Sequence, residues 1–124
     1  MTEGPEEKIT VISTCGGEDP ERATLPFVVA NAALAMDVKA VVILQANAVT
    51  LAVKGASDKV AAPGFPPLKE LMASYASQDG KLLLCTPCMK SRNIAPETLV
   101  GNASPIAAAR VVSECLESKA TLNY

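Results

Sequence analysis

Two cysteines spaced C-x-x-C, Cys85 and Cys88, follow directly on the apolar run Leu82-Leu83-Leu84. The run reads as a buried strand. Pro87 suits the first turn of a helix, where its missing N–H has no helical partner and its φ is already set. Cys85 is therefore expected at the C-terminal tip of a strand and Cys88 in the first turn of the helix that follows. Backbone N–H groups and the helix dipole favour an anion at such a place. A thiolate is that anion and is the reactive form of cysteine. The pattern points to sulfur chemistry without choosing its kind. Arg92, four residues after Cys88, could support a sulfur anion or simply pair with a surface carboxylate. Cys88 could resolve a disulfide with Cys85 or only fill space.

The chain has 124 residues, of which 49% are hydrophobic and 19% charged. That suits one domain (commonly ~100–150 residues) with a real core. Aromatics make up 3% and there is no Trp, so the core must be aliphatic. A net charge of -2 and the lack of a basic run give no case for nucleic acid. No apolar run approaches the ~20 residues of a membrane span. The stretch 1–7 reads as a polar tail, not a signal peptide, and a cytoplasmic location is expected. Four cysteines would then be reduced, and a C-x-x-C reads as catalytic or metal-binding before it reads as a structural disulfide. The chain contains no histidine, which removes the commonest general base and zinc co-ligand.

Strands are expected at Ile9–Ser13, Val38–Leu44 and Lys81–Cys85, with a short fourth at Thr98–Val100 and a last one at Ala120–Tyr124. The second is β-branched and apolar without alternation, as suits a strand covered on both faces. A helix is expected from about Pro20 to Met36, capped by Asp19. Pro26 allows a later start capped by Thr24. Asn47 can cap a short helix ending at Gly55. Pro67 can open another, with Leu68, Leu71, Met72 and Tyr75 at helical spacing. Ser104-Pro105 is expected to open a helix to about Ser118, with Cys115 in core packing. Strands alternating with helices imply an α/β fold, a single domain with a mostly parallel sheet of about five strands and helices on both faces. Sites in such sheets form beyond the strands' C-terminal ends. Thr14–Asp19, Gln45–Asn47 and Cys85–Cys88 would gather there, which makes Cys15 a candidate second thiol.

The whole chain resembles the DsrE/DsrF/TusD sulfur-relay family, in particular its small YchN-like branch. Three places carry the likeness: the first strand with its Gly-containing loop; Asn47-Ala48-Val49-Thr50 running on to Lys54-Gly55; and Cys85-Thr86-Pro87-Cys88 followed by Arg92-Asn93-Ile94. Cys85 falls on the family's sulfur-carrying cysteine and Arg92 on its arginine. Asn93 stands where Gly is usual, and Asn tolerates a left-handed φ better than most residues. The resemblance implies a homotrimer or homohexamer that carries persulfide sulfur from a donor protein to an acceptor protein. No cofactor or bound metal is expected. A thiolate already populated would need no general base, which suits a chain without histidine.

Other classes stay open on the residues alone. Cys85 and Cys88 could form a dithiol oxidoreductase site, although the thioredoxin Trp neighbourhood is missing. A metal or ligand-binding module would need Cys15, a carboxylate or a second subunit to complete its ligands. An oligomeric scaffold would leave the cysteines incidental. A cysteine-phosphatase loop is excluded by spacing, with six residues between Cys85 and Arg92 and three between Cys88 and Arg92.

Overall fold

A computed structural model of the chain describes residues 6–124. The first five residues of the expected polar tail lie outside that part. Five strands form one sheet: β1 (Lys8–Ser13), β2 (Lys39–Leu44), β3 (Leu82–Cys85), β4 (Ala103–Ile106) and β5 (Ala120–Asn123). Their order is β4-β3-β2-β1-β5, and every pairing is parallel. The helices are α1 (Pro20–Ala35), α2 (Leu68–Ser77), α3 (Thr86–Lys90) and α4 (Ala108–Leu116).

β2 is the central strand, and Val41, Val42, Ile43 and Leu44 are all buried. That accounts for its unbroken apolar run. One sheet face, with Val11, Val42, Leu44, Leu82 and Leu84, packs against Phe27 of α1 and against Leu68, Met72 and Tyr75 of α2. The other face carries a smaller cluster of Val41, Ile43, Leu83 and Ile106, with Val111 of α4 against it. Helices therefore cover both faces.

Asp19 caps α1, its carboxylate accepting the Arg22 N–H at 3.1 Å. Pro26 lies inside this helix. Thr24, the alternative cap, instead donates its hydroxyl back to the Pro20 carbonyl at 2.7 Å. Tyr75, fully buried, joins α2 to the sheet: its hydroxyl accepts the Val42 N–H at 3.1 Å and donates to the Lys81 carbonyl.

Three expected secondary-structure assignments are corrected. Thr98–Val100 is not a sheet strand; Leu99 forms an isolated antiparallel bridge with Val53. Ser104 and Pro105 lie in β4 and do not open α4. β4 is an edge strand, where a residue without an N–H is tolerated. Asn47 is not a cap: a 3-10 segment spans Ala46–Ala52, and its preceding residue, Gln45, makes no side-chain capping bond.

α4 is held by polar contacts more than apolar ones. Its buried residue is Glu114, which accepts from Lys8 Nζ and Arg110 Nε, each at 2.6 Å. Burial pushes the Glu114 carboxyl up, but those two cations outweigh it and hold it below the usual carboxylate range. Cys115 is only half-buried and Leu116 is 82% exposed, so the core packing expected of Cys115 is not found.

Candidate functional site

The C-terminal ends of β1, β2 and β3 bring three loops together. β3 ends at Cys85, which pairs in register with Ile106 of β4 and directly precedes α3. Thr86 opens α3 and donates its hydroxyl to the Ile106 carbonyl at 2.8 Å, fixing the strand tip to the neighbouring edge. Pro87 stands in the first turn, as its chemistry demands. Cys88 follows it, half-buried, and its Sγ accepts the Ala46 N–H at 3.2 Å. Ala46 has a φ of 51°, a left-handed conformation costing about 1 kcal/mol in an L-residue. The strain aims its N–H from the end of β2 at the Cys88 sulfur.

α3 ends after Lys90. Asn93 has a φ of 56°, the left-handed value at which Gly is usual. The Ile94 N–H then returns to the Met89 carbonyl at 3.0 Å. This turn sends Arg92 back over the site. Its Nε donates to Asn47 Oδ1 at 3.0 Å, and one terminal nitrogen donates to the Cys88 carbonyl at 3.2 Å. Asn47 Nδ2 donates in turn to Glu18 Oε1 at 2.8 Å. The Glu18 carboxylate accepts the Gly16 N–H at 2.9 and 3.1 Å. A continuous path thus runs from the β1 loop through Glu18, Asn47 and Arg92 to the C-x-x-C turn. Gly16 is required by close approach: a Cβ there would stand 2.7 Å from the Asn47 carbonyl and from Thr50 Oγ1. The backbone N–H that could have met an external anion is filled by the chain's own carboxylate.

Burial pushes the Glu18 carboxyl up. Hydrogen bonds from Asn47 and from the backbone N–H groups of Glu18 and Gly16, with the Arg92 charge, outweigh it and hold the carboxyl below its ordinary value. Cys85 moves the other way. Burial pushes its thiol up, the Cys88 thiol adds to this, and the Cys88 N–H and Arg92 charge pull down without reversing it. The thiolate expected from a helix N-terminus is therefore not favoured in this resting state. α3 spans only five residues, too short for a strong macrodipole.

Cys85, Cys88 and Arg92 share one strand–helix unit. Cys15 follows β1, and β2 lies between β1 and β3, so strand spacing separates the two cysteine-bearing ends by about 9–10 Å. Its neighbour Gly16, not Cys15 itself, enters the hydrogen-bonded path. Glu18 and Ala46 were missed as site residues, and Asn47 was misassigned. The loops that hold them, Thr14–Asp19 and Gln45–Asn47, are expected together beyond the strand ends, but the individual contacts of Glu18, Ala46 and Asn47 follow only from the folded geometry. Among the described residues, no group of three His, Cys, Asp or Glu could hold a metal ion. No helix among them is long and apolar enough to cross a membrane. A cleft of about 610 Å³ lies at the opposite end of the sheet, lined by Lys8, Lys39, Lys81 and Glu114 among others.

The DsrE/DsrF-like family model matches residues 7–124. The chain belongs to the DsrE/DsrF-like family. It is 31% identical over 93 residues to the protein MJ0760 of Methanocaldococcus jannaschii, a match covering 75% of this chain. The match covers 34% of that protein, so this chain spans about a third of the curated relative. Its fold is similar to the YchN protein of E. coli, with a TM-score of 0.80 at 17% identity over 95% of this chain and 99% of that one. It is also similar to MTH1491 of Methanobacterium thermoautotrophicum, with a TM-score of 0.70 at 10% identity over 96% and 99% of the two chains. At these identities the two structures establish the five-stranded parallel fold alone.

Proposed function

We propose that this protein is a cytoplasmic sulfur carrier that holds persulfide sulfur on Cys85 and passes it to a partner thiol. The observation that carries the reading is the placement of Cys85: partly buried at a strand tip, away from the cleft of about 610 Å³, with Arg92 folded back over the same turn. Family membership supports a sulfur-relay role for that tip. A carrier that meets protein donors and acceptors needs an accessible sulfur and no deep substrate pocket. The Cys85 thiolate attacks the outer sulfur of a donor persulfide, and the donor's own sulfur leaves as a thiolate. An acceptor thiolate then attacks the outer sulfur of Cys85–S–SH and Cys85 departs in turn. The Arg92 charge favours the anionic sulfur at each stage.

A homotrimer or homohexamer belongs to this proposal. Met36, Val112 and Leu116 are large apolar side chains left 73%, 57% and 82% exposed, and β4 and β5 are open edges. Sulfur donor and acceptor proteins are the expected partners. Persulfide labelling with a small donor tests the assignment: label persists in Cys88→Ser and disappears in Cys85→Ser. Equal labelling of the two variants would overturn it.

A further inference from the structure

We infer that Cys88 gives the Cys85 persulfide a second fate, discharge as sulfide with formation of a Cys85–Cys88 disulfide. The inference rests on the persulfide reading and adds to it a reaction that needs no acceptor protein. Cys85 is the cap of α3 and Cys88 lies three residues on. Helix geometry places Cα atoms at that spacing about 5 Å apart, inside the window of about 4.4–6.8 Å that a disulfide requires. The Cys88 thiol and N–H both act directly on the Cys85 sulfur, and the Ala46 N–H fixes the Cys88 sulfur from the β2 side. That spacing puts the Cys88 thiol within reach of the inner sulfur of a persulfide on Cys85.

In the step, Cys88 Sγ attacks Cys85 Sγ. The bond from Cys85 Sγ to the outer sulfur breaks, and that sulfur leaves as hydrosulfide with the electron pair. The Cys88 sulfur is oxidised and the outer sulfur reduced; the Cys88 proton goes to the sulfide or to solvent. Hydrosulfide is a good leaving group because leaving improves as the departing thiol becomes more acidic. A dithiol reductant must then open the disulfide before the site is reloaded. Without an acceptor, the reaction consuming this site's product is one that takes up sulfide.

The test uses the Cys85-persulfidated protein, loaded at acid pH from a small persulfide donor, desalted, and brought to neutral pH without oxygen. Wild type should release one sulfide per persulfide while its mass falls to that of the disulfide form, with Cys85 joined to Cys88 in the peptide map. Decay should be first-order and independent of protein concentration. It should be at least about tenfold faster than in Cys88→Ser, since an intramolecular thiol acts at an effective concentration far above that of dilute protein. Persulfide equally long-lived in wild type and Cys88→Ser would overturn the inference and leave the carrier reading intact. Decay whose rate rises with protein concentration would also overturn it. Failure of Cys88→Ser to take up persulfide on Cys85 would sink the carrier reading and the inference together.

Discussion

Replacing Gly16 with alanine tests the packing that joins the β1 loop to the site. A Cβ on Gly16 would stand 2.7 Å from the Asn47 carbonyl, 2.7 Å from Thr50 Oγ1 and 3.0 Å from Glu18 Oε1. Thr50 and Glu18 can swing away. The Asn47 carbonyl cannot, because it is backbone and already accepts the Thr50 hydroxyl at 2.7 Å. Overpacking of this kind costs about 1–3 kcal/mol. Reduced freedom of the unfolded chain returns about 0.4–1 kcal/mol. The net loss is about 1.5 kcal/mol, and with a urea dependence near 1.5 kcal/mol per molar the midpoint should fall by about 1 M. Gly17 supplies the control. A Cβ there would meet only Val60 Cγ2 at 3.5 Å, and its φ is not positive. Gly17→Ala should therefore leave the midpoint unchanged or raise it slightly. Urea titration by far-ultraviolet circular dichroism measures both, since the chain has no Trp to report by fluorescence. A Gly16→Ala midpoint at or above wild type, or equal losses in the two variants, would refute the close-approach argument.

Cys85 should alkylate slowly at neutral pH and accelerate through an alkaline midpoint above the ordinary thiol value, because burial and the Cys88 thiol favour its protonated form. In pH–rate profiles with iodoacetamide, Arg92→Gln should move that midpoint up and Cys88→Ala should move it down; shifts in one common direction would contradict the stated causes. Tyr75→Phe should destabilise the fold by about 1–3 kcal/mol in the same urea assay, since it strips a partner from the buried Val42 N–H at the centre of the sheet. An unchanged midpoint would show that the hydroxyl is dispensable.

Much of this architecture can be read from the residues because local and global signals agree. The unbroken run of β2 and the strand-to-proline transition at Cys85-Thr86-Pro87 each have one physical meaning, and the structure adopts it; at the first helix the residues offer Asp19 or Thr24 as the cap, and the structure takes Asp19. Ser104-Pro105 has two meanings, a helix start or an edge strand, and only the position of β4 at the sheet margin decides between them. Asn47 was assigned to the wrong partner for a related reason. Its amide can cap a helix, but Glu18 from the loop after β1 and Arg92 from the turn after α3 take both of its polar atoms. Ala46 carries no sequence cue at all, since its left-handed φ is imposed by the junction of β2 with the following turn. The raised Cys85 thiol was likewise hidden: it depends first on burial, which the C-x-x-C spacing does not reveal, and then on the Cys88 thiol.

The most direct measurement is intact mass spectrometry of the Cys88→Ser protein after incubation with a persulfide donor, before and after dithiothreitol. The expected result is a reducible gain of about one sulfur (~32 Da) that maps to Cys85. No reducible gain on Cys85, with the protein folded and the donor intact, would contradict the account.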